Sequence, residues 1–81
     1  MAIKKIKIVE KNIRAYGYAY PDYNLVEINP NQTDKQYMDT LIHELLHLLY
    51  PEESETRVAK NASTIRYHLW KKGFRRVEKD V

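Results

Sequence analysis

Two histidines and a glutamate within five consecutive residues form the most chemically suggestive segment of the chain. The segment reads His43-Glu44-Leu45-Leu46-His47, which is an H-E-x-x-H pattern. On an α-helix, residues four apart lie on the same face, so both imidazoles could reach one metal ion. Zn²⁺ binds neutral imidazole nitrogen, and a neighbouring carboxylate could take a proton from a water molecule. The pattern therefore predicts a zinc site with His43 and His47 as ligands and Glu44 as the general base.

The alternative interpretation of this segment is a buried helix that happens to carry two histidines. Such a helix would place three polar side chains on one strip without partners, which costs free energy. That cost favours the metal site. The pattern also arises by chance in unrelated sequences, so it indicates a metal site only if the rest of the chain supplies a third ligand.

The length and composition restrict the classes of protein to which the chain could belong. Its 81 residues predict one domain, residues 1–81, with a modest core that a bound metal could stabilise. The absence of cysteine excludes disulfides, thiolate ligands and a cysteine nucleophile. The first residues are basic, but no apolar signal-peptide segment follows them, and no apolar run is long enough to cross a membrane. We therefore expect a cytoplasmic protein without membrane contact, and the oligomeric state is left open.

Three short segments with strand-like alternation precede the motif. They cover residues 3–9, 13–20 and 25–29, and turn-forming residues separate them. Short connections favour antiparallel neighbours, so a three-stranded antiparallel meander is expected. With the two helices that follow, the predicted fold is α+β in the order βββαα.

The first predicted helix carries the H-E-x-x-H motif. Thr33 and Gln36 form a capping box at its start, and Pro51 disfavours helical geometry beyond about Tyr50. The two motif histidines lie opposite the apolar side of this helix, which we expect to pack on the sheet. That apolar side comprises Met38, Leu41, Ile42, Leu45, Leu48 and Leu49.

The second predicted helix begins at the N-cap Ser54 and ends before Gly73, a residue suited to the C′ position. A short connection predicts that the two helices form an antiparallel hairpin. The apolar stripe of the second helix comprises Val58, Ala59, Ala62, Ile65 and Leu69.

Glu55 is the predicted third metal ligand. It extends the apolar stripe towards the turn, and it lies four residues after Pro51, as His47 lies four residues before it. Residues equidistant from the turn face each other in such a hairpin, at a helix spacing that His and Glu side chains can bridge through one ion. The alternative for Glu55 is a carboxylate that favours the first turn of a helix. Glu52 is the second candidate ligand.

An H-E-x-x-H helix followed by a glutamate on the next helix resembles the gluzincin branch of zinc metallopeptidases, and its minimal single-domain members most closely. Residues 43–58 carry this likeness. The resemblance implies that His43, His47 and Glu55 bind zinc and that Glu44 polarises a water molecule. It also implies that a peptide or protein substrate adds to the edge of the sheet, for which we expect the third strand.

Two other functions are weighed against the peptidase. In the first, zinc stabilises a small module that binds a partner without catalysis. In the second, basic residues bind nucleic acid, although the net charge of +3 supports this only weakly. For the C-terminal cations, a solvated helix end is the favoured alternative. The basic residues are Lys4, Lys5, Lys7, Lys71, Lys72, Arg75 and Arg76.

Overall fold

Three strands precede two helices in the computed structural model, which describes residues 2–77. The order of elements agrees with the predicted βββαα arrangement. A 3₁₀ turn at Pro21–Tyr23 joins the second strand to the third. The elements are β1 (Lys7–Glu10), β2 (Gly17–Tyr20), β3 (Leu25–Ile28), α1 (Asp34–Leu49) and α2 (Glu55–Lys71).

The sheet is mixed, and the predicted antiparallel meander is wrong. Its strand order is β1-β3-β2, with β3 parallel to β1 and antiparallel to β2. The third strand is therefore the central strand. The prediction that it forms the exposed edge is also wrong, because β2 and β1 form the two edges.

The connection between β1 and β2 explains this topology. The connection crosses the end of β3, where the Lys11 amide donates to the Ile28 carbonyl at 2.9 Å. The Asn29 amide donates to the Tyr16 carbonyl at 2.8 Å, and its side-chain Nδ2 donates to the Ile13 carbonyl at 2.7 Å. Residues 11–16 form this connection, so β2 begins at Gly17 and is shorter than the strand predicted for residues 13–20.

Both helices begin at the predicted capping residues. The Thr33 hydroxyl oxygen accepts from the Gln36 amide at 3.2 Å, and the Ser54 hydroxyl oxygen accepts from the Arg57 amide at 3.2 Å. At the end of α2, Gly73 adopts φ = +92°, a conformation that glycine allows at no steric cost.

The C-terminus of α2 is a Schellman motif. The Gly73 amide donates to the Trp70 carbonyl at 3.0 Å, and the Phe74 amide donates to the Leu69 carbonyl at 3.1 Å. These bonds satisfy carbonyl groups that would otherwise lack partners at the helix end. The predicted C′ role of Gly73 is confirmed.

The core lies between one face of the sheet and α1, while α2 packs on the other side of α1. Two residues differ from the predicted apolar faces: Leu49 and Ile65 are exposed. None of the helices within residues 2–77 is long and apolar enough to span a lipid bilayer. The core comprises Val26, Ile28, Tyr37 and Leu48, with Ile6, Ala19, Leu41 and Leu45 packed against it.

Candidate metal centre

The helical hairpin positions three side chains of the predicted site. His43 and His47 lie on successive turns of α1, and Glu55 is the first residue of α2. Between the helices, the Glu53 amide donates to the Tyr50 carbonyl at 3.0 Å and closes the turn. The turn brings the start of α2 alongside the last turns of α1.

The polar atoms of these three side chains converge. The Nε2 atom of His43 lies 2.8 Å from Oε1 of Glu55, and Nε2 of His47 lies 2.6 Å from Oε2 of the same carboxylate. The two Nε2 atoms are 3.2 Å apart. His43, His47 and Glu55 therefore form a group that could hold a metal ion.

The donor set fits a small divalent cation. In a tetrahedral site with Zn–N and Zn–O bonds of about 2.0–2.2 Å, the ligand atoms would be about 3.3–3.6 Å apart. The observed separations of 2.6–3.2 Å are slightly shorter, so the three side chains would move outwards by less than about 1 Å. Glu55 can make this adjustment, because its side chain is 70% exposed. Imidazole nitrogen binds several first-row metals, so the donor set does not identify the ion and zinc stays a prediction.

The electrostatics of Glu55 follow from its two histidine partners. Burial acts to raise the pKa of Glu55, but hydrogen bonds and charges from His47 and His43 outweigh that effect and lower it. The ionised carboxylate is therefore the favoured form, which is the form that binds metals. The imidazoles are more enclosed than the carboxylate, with side-chain exposures of 19% and 22%.

Glu44 lies beside the group without belonging to it. Burial raises the pKa of Glu44, and the repulsion from Glu55 adds to this, although the charges of His43 and His47 act in the opposite direction. A carboxylate with a raised pKa is a better proton acceptor near neutral pH than an exposed one. The role of Glu44 as a base stays a prediction.

Two clefts meet at the group and connect it to β2. Their volumes are about 400 Å³ and about 340 Å³. Both are lined by Gly17, His43, Glu44 and Glu55. The first is also lined by Tyr18, Ala19, Pro21, His47 and Pro51, and the second by Tyr16, Gln36, Asp39 and Thr40.

Gly17 allows β2 to approach α1 closely beside the site. A Cβ atom at this position would lie 2.8 Å from Cγ2 of Thr40 and 3.0 Å from Cγ of Glu44. Any larger residue would therefore push against the predicted base. Sequence reasoning missed this role, although an isolated glycine in a strand pattern is a known signal of close backbone approach.

The outer edge of β2 presents backbone groups next to the site. The Asn29 amide donates to the Tyr16 carbonyl, so these two residues form a hydrogen-bonded pair of the antiparallel ladder. Hydrogen-bonded pairs recur at every second residue, so the backbone amide and carbonyl groups of Tyr18 and Tyr20 also point towards β3. The amide and carbonyl groups of Gly17 and Ala19 then point outwards. Within residues 2–77 no strand pairs with this edge, and both residues line the larger cleft.

The structure leaves other candidate residues away from the group. Glu52, the second candidate ligand, is exposed and does not join it. Tyr20 donates to Glu27 at 3.0 Å, and Tyr50 lines a different groove. His68, the third histidine of the chain, is exposed on α2.

Comparison with known proteins identifies no relative. No protein-family model, no curated protein and no solved structure matches the chain. The case for a function therefore depends on the geometry of the site.

Proposed function

We propose that this protein is a zinc-dependent metallopeptidase of the minimal gluzincin type. The observation that carries the proposal is the convergence of His43, His47 and Glu55, with the half-buried Glu44 next to them. The clefts at this group give a substrate access to all four side chains. The order of these residues along the chain is the order that the gluzincin resemblance implies.

In this proposal His43, His47 and Glu55 hold the ion, and Glu44 moves the proton. A bound Zn²⁺ would supply Lewis acidity and lower the pKa of a water molecule. Glu44 accepts the proton of the attacking water and delivers it to the leaving amine, so that one residue acts as base and then as acid. The raised pKa of Glu44 favours the second of these transfers.

The substrate would be an extended peptide that adds to β2. The outward amide and carbonyl groups of Gly17 and Ala19 can pair with a peptide backbone by β-augmentation. These two residues have little or no side chain, so a bound peptide could lie close to Glu44. We therefore assign the substrate to the β2 edge instead of the third strand.

Catalysis is favoured over a structural zinc module by the number of ligands. Within the described residues the metal-binding group contains three members, and Glu44 is not one of them. Structural zinc sites almost always use four protein ligands, whereas catalytic sites use three and leave a position for water. A structural site would also have no use for a partly buried carboxylate beside the ligands.

The first experiment is metal analysis of protein purified without added metal. We expect one zinc ion per chain. A protein that contains no metal and binds none in a titration would contradict the site itself.

The second experiment compares Glu44→Gln with Glu52→Gln on an unfolded protein substrate. Glu44→Gln should keep its zinc and lose hydrolysis by about 100-fold to 10,000-fold, because glutamine cannot act as a base. Glu52→Gln removes the same charge from an exposed position and should retain activity. Retained zinc with no hydrolysis by the parent protein, across a panel of unfolded proteins and peptides, would favour the non-enzymatic module.

A further inference from the structure

One face of the sheet lies away from α1, and no helix within residues 2–77 packs on it. Val26 and Ile28 are fully buried towards α1, so alternate residues of β3 point to the opposite side. Residues in register on β1 and β2 share that side. We call this surface the outer sheet face, and it comprises Lys7, Val9, Tyr18, Tyr20, Leu25 and Glu27.

The orientation of the tyrosines is set by their neighbours. Gly17 faces Thr40 and Glu44 on α1, so the next residue, Tyr18, faces away from the helix. The Tyr20 hydroxyl donates to Glu27 of the outer sheet face at 3.0 Å. The Tyr18 and Tyr20 rings are neighbours, with centroids 6.3 Å apart.

The outer sheet face exposes an aromatic ring that the core does not use. The side chain of Tyr18 is 43% exposed, although it lies in a regular strand. Tyr23, in the turn that follows β2, is 77% exposed. An exposed ring on a sheet provides a surface on which a flat partner can stack.

The N-terminal segment beside this face carries an excess of positive charge. Residues 1–14 contain five of the fourteen Lys and Arg residues and one of the eleven Asp and Glu residues, which gives this segment a charge of +4. A second basic stretch, residues 56–77, contains seven Lys and Arg residues and no Asp or Glu. Lys7 lies on the outer sheet face, and the exposed Lys4 and Lys5 lead directly into β1. Glu27, the acidic residue of the face, is already paired with Lys11 at 3.4 Å.

The two C-terminal arginines, Arg75 and Arg76, contact other residues of the chain. Arg75 lies 3.5 Å from the centroid of the Trp70 ring and donates to the Trp70 carbonyl at 2.8 Å. Arg76 bonds Glu10 at 2.6 Å and covers the Tyr37 ring. The predicted solvated helix end therefore does not describe Arg75 and Arg76, which are held by other residues of the chain. Lys71 also lies 5.7 Å from the centroid of the exposed Tyr67 ring, but that ring stands on a helix, whereas Tyr18 stands on the open sheet face that also carries Lys7.

We propose that the outer sheet face binds single-stranded nucleic acid. A base stacks on Tyr18, and the phosphates lie along Lys4, Lys5 and Lys7. The proposed site lies on the face of the sheet opposite α1, although Tyr18 also lines the larger cleft at the metal centre.

The combination of groups favours this ligand over other polyanions. Lysines alone would accept any polyanion, but an exposed aromatic ring on a sheet adds stacking with unpaired bases. A duplex keeps its bases stacked inside and cannot use the ring in this way. An acidic polypeptide offers negative charge but few flat groups. Single strands are therefore expected to bind more tightly than either.

The binding experiment uses the full chain and a labelled 20-nucleotide oligothymidine, measured by fluorescence anisotropy. Three phosphate contacts predict that affinity falls by about 20-fold between about 50 mM and about 200 mM salt. Duplex DNA of the same length and polyglutamate serve as competitors, and both should displace the oligonucleotide poorly. No binding at the lower salt concentration, or equal displacement by either competitor, would overturn the proposal.

Two triple variants test the position of the charge. Lys4→Gln/Lys5→Gln/Lys7→Gln should weaken binding at least about tenfold. The matched variant, in which three exposed lysines of the α2 region become glutamine, has the same net charge and should lose less than about threefold. Equal losses would mean that only net charge matters and would contradict the assigned surface. The matched substitutions are Lys60→Gln, Lys71→Gln and Lys72→Gln.

Single tyrosine variants test stacking. Tyr18→Leu should weaken binding about fivefold or more, whereas Tyr18→Phe, which keeps the ring, should bind like the parent. Tyr67→Leu removes a ring of similar exposure, 51%, from α2 and should have no effect. Circular dichroism checks that each variant is folded. If Tyr18→Leu binds normally, or if it instead abolishes self-association of the protein, the face serves another partner and the proposal is wrong.

Discussion

Two carboxylates, Glu55 and Glu10, each join separate parts of the chain, but their partners differ in kind. The Glu10 carboxylate accepts a hydrogen bond from the Tyr37 hydroxyl at 2.7 Å and pairs with the Arg76 guanidinium at 2.6 Å. The Glu55 carboxylate instead meets two imidazole nitrogens that also lie 3.2 Å from each other. In the first cluster a hydroxyl and a cation satisfy the carboxylate. In the second, all three groups can offer an electron pair to a metal ion.

The difference shows how a metal site can be distinguished from a structural ion pair. A guanidinium and a hydroxyl always bring protons to a carboxylate, so the Glu10 cluster needs no further cation. An imidazole nitrogen can either donate a proton to the carboxylate or offer a lone pair, so the three groups of the Glu55 cluster can also hold a metal ion. The Glu55 cluster therefore has the composition of a metal-binding site. The Glu10 cluster has the composition of a structural link between parts of the fold.

The largest expected effect is the difference in zinc affinity between variants of the two carboxylates. Glu55→Ala should weaken zinc binding by more than about 100-fold, since losing even an outer-shell group costs about 10-fold to 100-fold. Glu10→Ala should leave affinity unchanged, and Glu52→Ala should behave like it. A competition titration with a chromophoric chelator measures all three. If Glu52→Ala weakens zinc binding and Glu55→Ala does not, the third ligand has been misassigned.

Removal of metal should give the next largest effect. At a free zinc concentration of 100 times Kd, binding only to the folded form adds about 2.7 kcal/mol. For a domain of this size, chelation should then lower Tm by about 10–20 °C. The Glu10→Ala variant should show a similar decrease on chelation, because its metal site is intact. A melting curve that chelation leaves unchanged would contradict a metal that links α1 to α2.

The smallest expected effect concerns pH and the Glu10 cluster. Burial raises the pKa of Tyr37 to about 12, and its hydrogen bond to Glu10 contributes to the increase. Because this pKa is above the ordinary value of 10.0, folding favours the protonated phenol. The resulting stability, about 2 kcal/mol, is fully present below pH 10 and is lost as the pH rises towards 12.

Denaturant unfolding at several pH values compares the parent with Tyr37→Phe. The free energy of unfolding should fall more steeply between about pH 10 and about pH 12 in the parent, since phenylalanine has no proton to lose. Parallel curves for the two proteins would show that Tyr37 does not contribute this linkage. Zinc binding by Tyr37→Phe at neutral pH should match that of the parent.

Helix boundaries and the candidate site could be predicted because their signals are local. Thr33 and Ser54 cap the helices as their sequence contexts indicate, and Gly73 ends α2. The convergence of Glu55 with the two histidines follows from helical periodicity and one short turn. Each of these inferences spans only a few residues, within which backbone geometry leaves few alternatives.

Strand pairing could not be obtained in the same way. Alternation identifies a strand and its faces, but it does not identify the neighbouring strand. The parallel pairing of β1 with β3 depends on the connection between β1 and β2, which crosses the end of β3. Asn29 stabilises this connection by donating to the Ile13 and Tyr16 carbonyls. These contacts join residues that are 13 and 16 positions apart.

The amino-acid sequence by itself determined the two helices, their caps and the group of side chains at their turn, because periodicity and capping act over one or two helical turns. Only the tertiary structure decided that β3 is central and that the open edge beside Glu44 belongs to β2. It also decided that Gly17 is the point of closest approach and that Glu10 meets Arg76, 66 residues away. Such contacts are selected by how the whole chain buries its apolar surface, a property that no short segment contains.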